Sequence, residues 1–272
     1  MNESSDLIHQ TPARLDFQDV TVTYGSLTAL DRIHFQVPHG ARLAVVGPNG
    51  AGKSTLFKAL VGLLPLTNGQ ILIHGQPWDR HKDGVAYIPQ REEVDLHFPV
   101  TVRDVVTMGR YGRLGWLRSP DSTDRQVIQH SLEIMDIADL ADRSIQDLSG
   151  GQMQRAFLAR ALAQQPHILL MDEPFTGVDF ATQQTTLKLL DDLKLEQVTV
   201  MVSTHDLNLA KERFDLVLML NHSLIAYGTP AEVFTTENIR NAFHSQVMVM
   251  NDTLVVDQCC GDEEHDHNTG VL

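Results

Sequence analysis

The sequence predicts an α/β fold whose core is a parallel sheet carrying a phosphate-binding loop. Three observations predict it. A short apolar run, "RLAVVG", leads into the glycine-rich stretch "GPNGAGKST" and then into helix formers from Lys53 to about Gly62. Strand, loop and helix in that order open a parallel α/β unit. A second run, "PHILLMDEP", is apolar until it ends in two acids, as a strand covered on both faces should be. The third is "LDFQDVTVTYG", which alternates at Leu15, Phe17, Val20, Val22 and Tyr24 with one slip. That is the period of a half-buried strand in an antiparallel layer, continued by "IHFQVPHG".

The remaining elements follow in order. "GQILIHG" and "GVAYIPQ" read as strands. From Arg91 to Asp147 the pattern turns helical, in "VRDVVTMGRYG" and "DRQVIQHSLEIMDIADLA". After the strand "PHILLMDEP" come a helix through "QQTTLKLLDDLK", a strand "QVTVMVSTHD", a helix near "LNLAKERF" and a hairpin "LVLMLNHSLIAYGTP". The expected division is an N-terminal tail over 1–13, a domain over 14–250 with a helical insertion over about 91–147, and an acidic, His-rich flexible tail over 251–272. No internal repeat is evident.

Composition narrows the function classes. The 272 residues are 42% hydrophobic and 21% charged, which is ordinary for a globular protein with a sizeable core. No apolar run reaches the ~18 residues of a membrane-spanning helix. The N-terminus has neither the basic start nor the apolar stretch of a secretory signal, so the expectation is a chain that stays in the cytosol. Lys+Arg of 21 against Asp+Glu of 35 gives a net charge of −14. That field repels nucleic acid, and no nucleic-acid partner is expected. The two cysteines, Cys259 and Cys260, are adjacent and cannot staple a core, in keeping with a reducing compartment.

Gly47, Gly52, Lys53 and Ser54 fit G-x-x-x-x-G-K-[ST] between a strand and a helix. In that pattern backbone N–H groups of the loop, here with Asn49 and Gly50, turn inward around phosphates. Lys53 reaches the β- and γ-phosphates, and the Ser54 hydroxyl, beside Thr55, ligates Mg²⁺. The ligands predicted are ATP and Mg²⁺. Asp172 ends the apolar strand, where it can hold the magnesium through water. Glu173 follows and can take a proton from an attacking water. Gln90 closes "AYIPQ" and His205 closes "VMVSTHD". At the same sheet edge, Gln90 would contact the metal or the water, and His205 the γ-phosphate. Taken alone each is a common hydrogen-bonded loop residue; their order between the stronger motifs favours the functional reading.

A second anion-type helix start lies a hundred residues further on. In "LSGGQ", Ser149 is placed to cap a helix that runs through Gly150, Gly151 and Gln152 to Pro166. One chain thus has two such starts and one Asp–Glu pair. A single nucleotide cannot bridge two distant sites on one body. Two copies arranged head to tail resolve this, each LSGGQ closing over the γ-phosphate held by the other's loop. Ser149 and the N–H groups of Gly151 and Gln152 would donate to that phosphate. Hydrolysis removes the anionic clamp and the pair loosens.

"GPNGAGKST", "YIPQ", "LSGGQ", "LLMDEP", Asp179 in "TGVD" and "STHD" come in the order and spacing of the ATP-binding-cassette ATPases. The chain resembles that family over about residues 14 to 235. The resemblance implies a P-loop, RecA-like core with an antiparallel β subdomain and an inserted helical subdomain. It implies that Tyr24 stacks on adenine, that Asp179 lies at the dimer interface, and that Gln90 relays the nucleotide state to a partner. One departure is "FTGVD" where many members have "SALD", which changes the residues around Asp179.

A cassette with no fused membrane segment resembles the importer arrangement. The partners implied are a second copy, an integral-membrane permease and, through it, an extracytoplasmic substrate-binding protein, at the cytoplasmic face of the membrane. The stretch carrying Phe98, Leu114 and Trp116 reads either as core packing or as a groove edge that receives a permease helix. With "EPFTGVD" it is similar to cassettes of manganese, zinc and iron importers. The alternatives are a siderophore or cobalamin importer, or a non-transport ATPase of iron–sulfur assembly or DNA work. In the tail, Cys259, Cys260, His265 and His267 among five acids read as a solvating segment or a transition-metal site.

Overall fold

Alternation and its one slip have a direct structural cause. A computed structural model of the chain describes residues 13–77, 84–90, 99–114, 119–243, 247–250 and 253–256. Strand β1 (Ala13–Tyr24) pairs antiparallel with β2 (Leu27–Pro38) and with β4 (Asn68–Ile73). Its register shifts between Phe17 and Val20, where Asp19 takes a left-handed φ of 50°. That bulge re-aims the strand, so Leu15, Phe17, Val20 and Val22 are all buried on one side. With β5 (Gln76–Pro77) the antiparallel sheet has the order β2-β1-β4-β5.

The second sheet has six strands in the order β10-β9-β3-β8-β7-β6. β3 (Arg42–Val46), β6 (Val85–Ile88), β7 (Ile168–Asp172), β8 (Thr199–Thr204) and β9 (Leu216–Asn221) run parallel, and β10 (Ser223–Gly228) returns antiparallel. The four strands β3, β8, β7 and β6 lie side by side, so the phosphate loop, His205, Asp172–Glu173 and Gln90 all leave one sheet edge. Ligands of open α/β sheets bind at that edge.

The apolar runs separate into two cores by their period of two. Ala44, Val46, Leu169, Met171, Val200 and Val202 face one way, toward α5 (Gly150–Ala163), α6 (Phe180–Leu195) and α7 (Leu207–Arg213). Leu43, Val45, Ile168, Leu170 and Met201 face the other, toward α1 (Lys53–Leu60) and the antiparallel sheet, where Phe17 stacks on Phe35 at 4.4 Å. A strand with both faces covered has no place for a polar alternation.

The helical insertion is closed at its base. Val102 N–H donates to Arg143 O at 3.0 Å and Ile145 N–H to Val100 O at 3.0 Å. Its helices are α2 (Val102–Met108), the short α3 (Tyr111–Leu114) and α4 (Ser122–Ile134). Thr101 with Asp104, and Asp121 with Asp124, form capping boxes. α2 and α4 pack on α5, so the helix that begins with LSGGQ belongs to this subdomain. One buried cation ties the three helices. Arg110 donates to Asp124 at 2.9 Å and to the Ala163 carbonyl, at the C-terminal end of α5, at 2.9 Å. Gln165 accepts from both Arg110 and Arg113.

Beyond the predicted elements are α8 (Pro230–Val233), α9 (Thr236–Phe243) and a hairpin of β11 (Val247–Met250) with β12 (Thr253–Val256). The expected division at 250/251 therefore falls inside a hairpin. Phe98, Trp116, Cys259, Cys260, His265 and His267 lie outside the described residues, and Leu114 is partly buried on α3.

Arg110→Met leaves the Asp124 carboxylate buried without its cation. A cost of about 3 kcal/mol is expected in urea unfolding, with the slope unchanged. A midpoint equal to the parent's would show the pair to be dispensable.

Candidate active site

The phosphate loop is shaped by what lies behind it. A Cβ on Gly47 would sit 2.1 Å from the Leu220 carbonyl oxygen of β9, so no side chain fits there. Gly52 precedes α1 at φ 98°, a conformation natural to glycine. The loop is held to the turn between β9 and β10 by His222 N–H donating to Ala51 O at 2.9 Å. Between the loop and the opposite strand ends is a cavity of about 460 Å³. Asn49, Gly50, Gly52, Lys53, Ser54, Thr55, Gln90, Glu173, Thr176 and His205 line it.

Lys53 is 7% exposed and folds under the loop. Its Nζ donates to the Gly47 carbonyl at 2.9 Å and the Pro48 carbonyl at 3.1 Å, and lies 3.8 Å from Glu173 Oε1. Burial pushes its pKa below the ordinary lysine value, and the nearby charges of Glu173 and Asp172 oppose that. The cation thus stands at the floor of the cavity, faced by Glu173.

The carboxylates are held differently. Asp172, 2% exposed, ends β7. Its Oδ1 accepts from the Ser203 hydroxyl and its Oδ2 from Tyr87 OH at 3.4 Å. Glu173 turns out of the strand at φ 51°, at a cost of about 1 kcal/mol or more for a residue with a Cβ. Its N–H donates to Ser203 Oγ at 2.9 Å, and its Oε2 accepts from Thr176 Oγ1 at 2.9 Å. His205 Nδ1 lies 2.8 Å from the same Oε2. Glu173 thus faces the cavity between a histidine and the buried lysine. Ser54, Gln90 and Asp172 offer only oxygen ligands or a water contact, a donor set that suits Mg²⁺.

The structure therefore brings Asn49, Gly50, Gly52, Lys53, Ser54, Thr55, Gln90, Glu173 and His205 to one cavity. Gly47 is its backing. Asp172 lines a smaller adjoining void of about 180 Å³ with Gln90, Met153, Phe157 and Pro174, between the sheet edge and α5. Two side chains that sequence reasoning passed over, Thr176 and Ser203, bond the acids. Both stood inside motifs already singled out, "FTGVD" and "STHD", but nothing in the sequence says where a hydroxyl points.

Tyr24, Ser149 to Gln152 and Asp179 do not line the cavity. Tyr24 is 47% exposed at the tip of β1. Ser149 caps α5 in a reciprocal capping box: its N–H donates to Gln152 Oε1 at 2.9 Å, and its Oγ accepts from Gln152 N–H at 3.3 Å. The Gln152 N–H expected to reach a phosphate is thus already engaged within its own chain. Asp179 caps α6 by accepting from Thr182 N–H at 2.8 Å, which holds its carboxyl below the usual range. A Cβ on Gly151 would lie 2.3 Å from Asp179 Oδ2 and 2.4 Å from Thr182 Oγ1. The starts of α5 and α6 are therefore pressed together on one face.

A family model described as "ABC transporter" matches residues 30–176. The manganese transport system ATP-binding protein MntB of Bacillus subtilis is 43% identical over 246 residues, covering 90% of this chain and 98% of its own. The zinc transport system ATP-binding protein TroB of Treponema pallidum is 43% identical over 240 residues, covering 88% and 90%. Among solved structures, a chain of a transporter described as of metal-chelate ABC type, in an inward-facing conformation, superimposes with a TM-score of 0.75. It is 29% identical and is covered to 95%, against 90% of this chain.

Gly151→Ala is expected to separate the two helix starts. Turnover should fall at least 10-fold, while nucleotide affinity of the single subunit stays within about 2-fold, because the cavity is built without it. Equal turnover in a phosphate-release assay would show the close packing to be incidental.

Proposed function

The chain belongs to the ABC transporter family, and we propose that it is the ATP-hydrolysing subunit of an importer for a metal ion: manganese, zinc or iron. The observation that carries the choice of cargo is the near-complete coverage of a manganese and a zinc transport ATP-binding protein at 43% identity. The chelated iron transport system membrane protein YfeB of Yersinia pestis, 43% identical over 228 residues, 83% of this chain and 77% of its own, supports iron as the third candidate. No helix among the described residues is long and apolar enough to cross a membrane. In this reading, as the likeness to ATP-binding subunits of transport systems supports, the cargo passes through a separate permease with this subunit at its cytoplasmic face.

The residues around the cavity divide the work of hydrolysis between them. Lys53 exchanges its two carbonyl partners for the β- and γ-phosphates of ATP. The loop N–H groups at Asn49 to Thr55 receive the phosphate oxygens, and Tyr24 the adenine. Ser54, Gln90 and Asp172 would hold Mg²⁺, which when bound neutralises charge on the phosphates. Glu173 accepts the proton of the attacking water, and His205, sharing Glu173 Oε2, fixes that carboxylate and senses the γ-phosphate.

Ser149, Gly150, Gly151 and Gln152 act on the γ-phosphate of a second copy. This makes an isologous head-to-tail pair with two nucleotides in its interface, and Asp179 lies beside that contact. For Gln152 to donate, its bond to Ser149 Oγ must give way; at 3.3 Å it is the weaker half of the capping box. The helical subdomain carries an open groove of about 440 Å³ lined by Arg103, Thr107, Ser119, Pro120, Arg125, Ile128 and Gln129. Its mixture of cations and apolar surface suits a short permease helix, and α5 links it to LSGGQ. An extracytoplasmic binding protein would deliver the ion on the far side.

Glu173→Gln with ATP is expected to elute as a dimer, because the fuel binds and is not consumed; a monomer peak at saturating ATP contradicts the paired site. Ser149→Arg should bind ATP normally and lose turnover by 10-fold or more, since the guanidinium fills the partner's phosphate position. Unchanged turnover would reduce LSGGQ to a helix cap. For the cargo, cells lacking this subunit should hold less manganese, zinc or iron by elemental analysis. The parent chain should restore it and Glu173→Gln should not; unchanged levels of all three metals contradict the importer.

A further inference from the structure

Ser203 stands opposite Asp172 in the parallel pairing of β8 with β7 and is completely buried. Its hydroxyl meets both acids of the site at once. The proton goes to Asp172 Oδ1, and the oxygen accepts the Glu173 N–H at 2.9 Å. The other Asp172 oxygen has the weaker contact, Tyr87 OH at 3.4 Å. The Glu173 N–H is directed to a side chain because the chain leaves the strand there at φ 51°. Without the hydroxyl, the Glu173 N–H and the buried Asp172 carboxylate would both lose this partner, and the left-handed turn its anchor.

We propose that Ser203 is a positioning residue for ATP hydrolysis: one hydroxyl aims the Asp172 carboxylate with its proton and fixes the turn that presents Glu173 with its lone pair. It touches neither substrate nor water itself. The inference rests on the roles given above to Asp172 and Glu173. It ties two functions to one group. Loosening Asp172 weakens the hold on Mg²⁺, and loosening the Glu173 turn slows the proton transfer. Nucleotide binding without metal depends on the loop and Lys53, neither of which Ser203 contacts through these bonds.

The test uses the full chain and two variants. Ser203→Ala removes the hydroxyl. Ser203→Cys keeps about the same volume with a weak donor, so it separates bonding from packing. Both are expected to lower kcat roughly 10- to 100-fold and to raise the Mg²⁺ concentration for half-maximal hydrolysis several-fold. Affinity for a fluorescent ATP analogue in EDTA should stay within about 2-fold of the parent, and so should its dependence on nucleotide. Either variant matching the parent in both kcat and Mg²⁺ requirement overturns the inference. So does metal-free affinity that falls in step with kcat, since that is a general structural role. Glu173→Gln run alongside keeps the two readings apart. If it hydrolyses normally, the assignment of the base is at fault; if it is inactive while Ser203→Ala is not, only the positioning role fails.

Discussion

A buried ammonium governs this architecture. Lys53 is kept under the phosphate loop by two backbone carbonyls and faced by Glu173 at 3.8 Å. Burial alone disfavours its charge, so the site must supply negative partners. Glu173 and Asp172 do so, and they reach it only because β3, β8 and β7 are parallel neighbours whose C-terminal ends share an edge. The apolar, two-sided strands are the cost of that arrangement: every residue of β7 and β8 is buried so that their last residues can stand where they do. A triphosphate would offer the same cation charged oxygens in place of neutral carbonyls, which makes the floor of the cavity a ready place for it.

In the proposed reading, one chain builds a grip on phosphate with a base, Glu173, beside it. What it also builds, on the first turn of α5, is a helix start pressed against α6 through Gly151 and Asp179. The start of α5 does not line the phosphate cavity, and α5 joins it to the helical subdomain by packing on α2 and α4 and through the Arg110 tie at its far end. In the proposed assembly this makes α5 a lever. The state of a nucleotide bound between two copies is felt at its N-terminal end, and the groove offered to a permease lies against the helices it supports.

Much of this was legible in the residues because short, directional patterns fix it. "RLAVVGPNGAGKST" reads as strand, loop and helix, since glycine positions and apolar runs carry backbone information. The slip in "LDFQDVTVTYG" marked a real bulge at Asp19. Gln90 and His205 were placed at one edge by order alone, and both line the cavity. The legible part ends where an outcome depends on packing between distant segments. The buried Arg110–Asp124 pair joins side chains whose partnership no local period announces. The hydroxyls of Ser203 and Thr176 gain their meaning from a neighbouring strand and from a turn. The hairpin Val247–Met250 with Thr253–Val256 was hidden by an acidic, His-rich composition nearby. The adenine contact expected of Tyr24 and the interface role expected of Asp179 rest on the family resemblance; neither residue lines the cavity of the single chain.

The central claim is that the phosphate site is finished by a second copy. The most direct measurement is an experimental structure of Glu173→Gln saturated with Mg²⁺ and ATP. The account predicts two nucleotides between two chains, each γ-phosphate contacted by Lys53 of one and by Ser149 and Gly151 of the other. A nucleotide held on a lone chain, with Ser149 facing solvent, would contradict it.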